Sequence, residues 1–274
     1  MFNKAAIVGT GLIGGSLGLA LKKKGLAREV VGVSRHQKNI VRAIKLGAVD
    51  KGSRSLDIIG GADLVVLAMP VGAILSLAPA IARYTGPGCV VTDVGSTKEQ
   101  IVSSLTGIFP CFVGSHPLAG SEKRGVSYAQ TGLFNNSVCI VTPVAKTRAE
   151  AVRKVRKLWV SVGARVVILD PKKHDRALSL ISHLPHVAAF SLMNVIPVQF
   201  LAFAPPSLRE ATRVAASDGE LWSDIMYSNK KNIIAAIEAL RKELFSIESA
   251  VKYNATRKLH RILNAAKIKR EKIR

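Results

Sequence analysis

Ala5-Ala6-Ile7-Val8-Gly9-Thr10-Gly11-Leu12-Ile13-Gly14-Gly15-Ser16-Leu17-Gly18-Leu19-Ala20-Leu21 stands almost at the start of the chain. Ala5 to Val8 reads as a short buried strand, and helix-forming residues continue from Leu12 to Lys24. Between them, Gly9-Thr10-Gly11-Leu12-Ile13-Gly14 fits G-x-G-x-x-G in the strand-turn-helix setting that a dinucleotide-binding turn requires. Gly9 permits the tight turn, Gly11 lets the backbone approach a pyrophosphate, and Gly14 lets helix and strand pack closely. The helix N-terminus then faces the anion, with Thr10, Leu12 and Ile13 in the same cradle. Residues 5–21 also have the apolar character of a signal-peptide core, but Gly9, Gly11, Gly14, Gly15 and Gly18 interrupt them in this nucleotide-binding pattern.

The end of the second strand bears on the choice of dinucleotide. NAD-binding turns of this kind carry an acidic residue about 20 positions on, which bonds the ribose 2′-hydroxyl. Here Val33 leads into Ser34-Arg35-His36, with Ser34 lying 20 residues after Gly14. Ser34 offers a hydrogen bond and Arg35 a planar charged donor, while His36 and Lys38 add to the field. No carboxylate repels a 2′-phosphate, so NADP is the expected cofactor and NAD the less favoured one.

Outward from this turn the strand-helix alternation continues. Val30–Ser34, Leu64–Ala68, Cys89–Asp93, Phe112–Gly114, Val138–Thr142 and Arg165–Leu169 read as strands. Helical patterns lie between them at Asn39–Leu46, Ile74–Arg83, Lys98–Leu105 and Arg148–Val162. Such alternation predicts an α/β, Rossmann-type, doubly wound and mainly parallel sheet over residues 1–170. After Asp170-Pro171 strand signals stop, and residues 171–274 read as an all-α helical domain. Ile233, Ile237, Leu240, Leu244, Ile247 and Val251 step by three and four, a seam for packing against another helix. Residues 187–204 form a mainly apolar stretch with Asn194, Pro197 and Gln199 inside it, and the expectation is a buried helix rather than a membrane span.

Composition narrows the class further. With 274 residues, 48% hydrophobic and 21% charged, the chain is neither disordered nor fibrous. Cys89, Cys111 and Cys139 form neither a disulfide framework nor a CxxC pattern, which points to a reducing, cytoplasmic setting. The net charge of +22 is spread along the chain, +13 in residues 1–170 and +9 in residues 171–274. Only 5% of residues are aromatic and none interleaves with the basic clusters, so nucleic acid is expected to bind only nonspecifically. Anionic small molecules gain from the same field.

Five segments together resemble the prephenate and arogenate dehydrogenase family. They are Gly9–Gly14, Asp93-Val94-Gly95-Ser96-Thr97-Lys98, Gly114-Ser115-His116-Pro117-Leu118-Ala119-Gly120-Ser121-Glu122, Ser182-His183-Leu184-Pro185-His186 and Thr212-Arg213-Val214-Ala215-Ala216-Ser217-Asp218. They follow the family order and cover both predicted domains. The resemblance implies oxidative decarboxylation of a cyclohexadienyl acid, either arogenate to tyrosine or prephenate to 4-hydroxyphenylpyruvate. In that reaction the C4 hydroxyl loses its proton, hydride leaves C4 for the nicotinamide, and loss of carbon dioxide aromatises the ring.

Such chemistry needs a base at the hydroxyl and cationic handles for carboxylates. His116, titratable near neutral pH and placed in a Gly/Pro-rich loop after a strand, is the expected base. By resemblance it meets the ring hydroxyl, with Ser96 beside it. Arg213 is the carboxylate clamp, since a guanidinium grips a carboxylate bidentately. The family pattern also places His183, His186 and Glu122 with the substrate, and Asp93 is grouped with the cofactor-binding residues. His183 and His186 have the i, i+3 spacing of metal ligands, but no third ligand accompanies them persuasively and the reaction needs no metal. The resemblance further implies a homodimer through the helical domain.

Asp218 bears on substrate choice. A carboxylate near the side chain of the substrate favours the ammonium of arogenate over the ketone of prephenate. The same residue also suits the N-cap of a helix beginning near Glu220-Leu221-Trp222. Two alternatives stand beside this reading. One is a 3-hydroxyacid or imine dehydrogenase of the same two-domain plan, disfavoured because its usual helical-domain lysine is replaced here by histidines and an arginine. The other is a non-catalytic nucleotide-sensing or nucleic-acid-binding protein, supported only by the charge.

Overall fold

Ala5 and Ile7 point to one side of the first strand and Ala6 and Val8 to the other, and all four are buried. A strand covered on both faces belongs inside a parallel sheet with helices on either side. The computed structural model describes residues 2–121 and 123–273 and shows this arrangement. In chain order the first part comprises β1 (Phe2–Val8), α1 (Leu12–Lys23), β2 (Ala27–Val33), α2 (Gln37–Lys45), β3 (Lys51–Ser53), β4 (Leu64–Leu67), α3 (Val71–Ala82), β5 (Val90–Asp93), α4 (Glu99–Leu105), β6 (Phe112–Pro117), β7 (Val138–Thr142), α5 (Ala149–Ser161) and β8 (Arg165–Ile168). These strands form one eight-stranded sheet in the order β3-β2-β1-β4-β5-β6-β7-β8. Every pairing is parallel except β6 with β7. Strand order reverses between β1 and β4, the switch point beyond whose carboxyl ends ligands bind in open α/β sheets.

Two local readings change. β3 escapes the sequence pattern because Lys51-Gly52-Ser53 is short and carries no apolar residue. β6 does not stop at Gly114: its antiparallel register with β7 runs from Gly114↔Thr142 to Pro117↔Cys139. His116 therefore sits on a strand, not in the loop after it, and its backbone is held by the sheet.

From Pro171 the described chain is helical. Asp170 accepts hydrogen bonds from the N–H groups of Lys172 and Lys173, and Pro171 takes the first helical position, where its missing N–H costs nothing. The elements are α6 (Pro171–Leu178), α7 (Leu184–Val195), α8 (Pro206–Thr212), α9 (Gly219–Ser228), α10 (Lys230–Lys252) and α11 (Thr256–Arg270). A π-helical turn, Ser179–His183, joins α6 to α7 without a break. The joined run Pro171–Val195 is long and apolar enough to cross a membrane by length and composition alone. Its His174, Asp175 and His183 are buried polar residues engaged with the protein interior.

The expected buried helix over residues 187–204 is corrected. α7 ends at Val195, Ile196 turns extended before Pro197, and a 3₁₀ segment, Val198–Phe203, follows. Val195, Val198 and Phe203 are among the most exposed apolar side chains, because the single chain offers nothing to cover them. The α10 seam behaves similarly: Ile233 is buried, whereas Leu244 and Val251 are exposed.

Candidate active site

The glycine turn fits a dinucleotide in detail. Gly9 has φ +104°, and a Cβ there would lie 2.3 Å from the carbonyl oxygen of Ala68. A Cβ on Gly14 would lie 2.1 Å from the carbonyl oxygen of Gly9, so helix and turn touch backbone to backbone. Gly11, by contrast, faces open space at the N-terminus of α1, whose first N–H groups have no side-chain cap. Thr10 is buried, and its Oγ1 has no hydrogen-bond partner among the described residues. These are the features of a cradle for a phosphate group. Ser34, Arg35 and His36 follow the carboxyl end of β2, where the ribose end of a dinucleotide would lie, and Arg35 and His36 are exposed.

Next to this turn a cleft of about 700 Å³ opens between sheet and helices. Gly11, Leu12, Ile13, Ser96 and His116 line it from the sheet side, and His186, Arg213 and Asp218 from the helical side. Lys123 and Arg124 stand on its wall as well, which makes it cationic. The helical part is held in place by bonds across the boundary. Asp224 of α9 accepts from the N–H of Gly72 at 3.1 Å, and Thr97 Oγ1 donates to Ser228 Oγ at 3.0 Å.

His116 is half-buried, with one edge in the cleft. Its Nδ1 lies 2.9 Å from Nε2 of His174, whose own Nδ1 lies 2.7 Å from the Asp175 carboxylate. Burial, and then the charges of His174 and Lys98, hold the His116 imidazole well below its ordinary pKa. It is therefore neutral at pH 7, as a base must be. Ser96 lines the same cleft, and among the described residues no hydrogen bond joins it to His116.

Other expected residues separate into distinct environments. The ring of His186 stacks on the indole of Trp222 with centroids 3.6 Å apart, and its Nδ1 donates to the carbonyl of Ser182 at 2.9 Å. Burial lowers its pKa, and the positive charge of Arg213 lowers it further. Asp218 is the N-cap of α9, accepting from the N–H of Leu221, and it is ion-paired with Arg124. Glu122 lies outside the described residues.

Two expected residues do not line the cleft. Asp93 is fully buried and makes no face of the cleft. It pairs with the equally buried Lys98 and accepts from the N–H groups of Gly95 and Ser115, so it braces the floor of the site. His183 is also buried behind the cleft wall, with its Nδ1 3.2 Å from the Asn229 amide nitrogen. Both motifs place a residue near the site, but alternation along strand and helix turns these two inward.

His183 carries a stability prediction. Burial lowers its pKa to about 4; Asp175 opposes this, and His174 and His186 add to it. Between pH 6.5 and about 4 the unfolded chain binds a proton that the native chain refuses. Stability is therefore complete above about pH 6.5 and is lost as pH falls, by on the order of 3 kcal/mol from this group alone. Denaturant titrations at pH 7 and 4.5 should show the loss in the wild type and a smaller one in His183→Gln.

The residues that sequence reasoning did not assign are His174, Asp175, Lys98, Arg124 and Trp222. His174 and Asp175 are neighbours in the sequence within α6, but only the packing of α6 on the sheet brings them to His116.

The fold and cleft define a two-domain, Rossmann-type oxidoreductase with a dinucleotide turn at the edge of its site. The chain belongs to the prephenate dehydrogenase family, enzymes of tyrosine biosynthesis. Residues 17–168 match the family's "Prephenate dehydrogenase, nucleotide-binding domain" and residues 170–265 its "Prephenate dehydrogenase, dimerization domain". The prephenate dehydrogenase of Bacillus subtilis is 35% identical over 276 residues, covering 95% of this chain and 73% of its own. The crystal structure of Aquifex aeolicus prephenate dehydrogenase in complex with hydroxyphenyl propionate and NAD+ is similar at a TM-score of 0.91 and 32% identity, covering 100% of this chain and 99% of its own. Synechocystis arogenate dehydrogenase is similar at a TM-score of 0.84 and 27% identity, covering 98% and 99%.

Proposed function

We propose that the chain oxidatively decarboxylates arogenate and/or prephenate and prefers NADP. The observation that carries this is convergence: His116, Ser96 and Arg213 line one cleft at the mouth of the Gly9–Gly14 turn. His116 takes the proton of the ring hydroxyl at Nε2, and Ser96 orients ring and imidazole. Arg213 grips a carboxylate, while His186, held by Trp222, contacts the substrate side chain. A bound dinucleotide supplies the hydride acceptor. Gly9–Gly14 cradles its phosphates, and Ser34, Arg35 and His36 receive the 2′-phosphate. Residues 1–170 act as the dinucleotide-binding domain and residues 171–274 as the helical domain for substrate and dimerisation.

Substrate choice turns on Asp218. Its charge is matched by Arg124, so the ammonium of arogenate gains only what it wins in competition with that guanidinium. The exposed apolar groups of the helical domain, Val195, Val198, Phe203, Phe245 and Val251 among them, support a homodimer formed through that domain.

The test is dinucleotide reduction followed at 340 nm with arogenate and prephenate, each paired with NADP and NAD. Turnover with NADP supports the reading. Silence in all four pairings from folded protein removes the catalytic assignment. Arg35→Ala should raise the KM for NADP by about 10-fold or more and change that for NAD by less than about threefold, because only NADP loses a charge-assisted bond. Equal effects on both would mean that Arg35 does not read the 2′-phosphate.

A further inference from the structure

We propose that Asp175 and His174 are positioning residues, a buried relay that sets the tautomer of His116 and takes up the charge His116 acquires. The proposal rests on His116 being the base and adds the two residues that make its cleft-facing nitrogen available.

The carboxylate determines every proton in the chain. Asp175 Oδ1 accepts from the backbone N–H of Lys98 at 2.7 Å and from His174 Nδ1, and its Oδ2 accepts from the N–H of Glu99 at 2.9 Å. A carboxylate only accepts, so the His174 proton must be on Nδ1. Neutral His174 then has a bare Nε2, which can only accept the bond from His116 Nδ1–H. That leaves His116 Nε2 as a lone pair, the form a base requires. Were His174 protonated, the logic would invert and His116 would turn a proton toward the cleft. Burial keeps His174 below its ordinary pKa, which favours the productive arrangement at neutral pH.

The same line can move charge. When His116 Nε2 accepts the substrate proton, its Nδ1 proton can pass to His174 Nε2. The positive charge then rests on His174, bonded directly to the Asp175 carboxylate, and both imidazoles keep a full set of bonds. This matters because the surroundings otherwise oppose a cation. Lys98 faces the relay from the turn before α4, and His183 from the π-helical turn, with His186 beyond it. Asp93 at the end of β5 is already paired with Lys98, and the Cys139 thiol on β7 is pushed up by burial. Asp175 is thus the carboxylate available to a new cation. Its place is secured from the helical side, where the Asn229 amide donates to its backbone carbonyl at 2.8 Å.

Asp175 also has structural bonds, so the test must separate the two roles. Asp175→Asn should lower kcat by about 10²-fold with KM within about threefold, since an amide facing a relay histidine permits the wrong tautomer. The acidic limb of its kcat profile should move to lower pH, because the carboxylate that eases protonation of His174 is gone. His174→Gln keeps a donor and an acceptor but cannot become cationic, and should lose kcat to a similar degree. In the double variant, Asp175→Asn should add nothing further to the loss and shift no limb. Additive losses would make Asp175 a purely structural residue and overturn the proposal, as would near-wild-type kcat in His174→Gln. Nitrogen-15 NMR of the histidine rings needs no turnover: His116 should carry its proton on Nδ1, and a proton on Nε2 at pH 7 would overturn the relay. Wild-type inactivity on both substrates would instead count against the proposed reaction and leave the NMR result to decide the relay.

Discussion

Replacing His116 with asparagine lowers kcat by about 10²–10⁴-fold, the usual contribution of a positioned base. The affinity for NADP should change by less than about threefold, because the loss falls on proton transfer and not on the phosphate cradle. The reasons are local. His116 sits on β6, where the sheet holds its backbone, and its edge opens on the cleft that Gly11 and Ser96 also line. Asparagine keeps a polar group toward His174 but offers no nitrogen able to accept a proton near neutral pH. Steady-state kinetics with binding followed by dinucleotide fluorescence measure both quantities. Turnover near wild type with intact NADP binding would move the base elsewhere.

Arg213→Gln should lower kcat/KM by about 10–10²-fold, mostly through KM, the size of a lost charge-assisted bond to a carboxylate. Arg213→Lys should recover only part of it, because an ammonium restores the charge but not the planar fork. A second readout comes from His186. The guanidinium helps hold that imidazole below its ordinary pKa, so the His186 pKa should rise in Arg213→Gln and stay low in Arg213→Lys. An unchanged KM in Arg213→Gln would place the substrate carboxylate on another cation of the wall, of which Lys123 and Arg124 are the nearest in character.

Much of this site is legible without coordinates, and the reasons differ by residue. Gly9 and Gly14 are readable because backbone geometry leaves no room for a side chain, so the need is written as glycine. His116, Ser96 and Arg213 are readable because they lie within motifs whose order along the chain resembles one family. Asp93 and His183 sit in the same motifs but are buried off the cleft, since a motif records neighbourhood and not which way a side chain turns. Asp218 was read two ways, as a selector and as a helix cap. The cap is present, and Arg124 matches the charge on which selection depended.

What the sequence determined by itself is whatever depends on short range: the glycine turn between strand and helix, the alternation that makes a doubly wound sheet, the helical remainder after Asp170-Pro171. These follow from backbone sterics and hydrophobic periodicity, which act over a few residues. What only the tertiary structure decided depends on contacts between distant segments. The antiparallel register of β6 with β7 carries His116 to the end of a strand, and the packing of α6 on the sheet sets His174 2.9 Å from it across 58 residues of chain. Burial then does what no local pattern records. It makes an ordinary His-Asp pair into a bonded line, because in a low-dielectric interior each polar group must find its partner among whatever the fold has brought near.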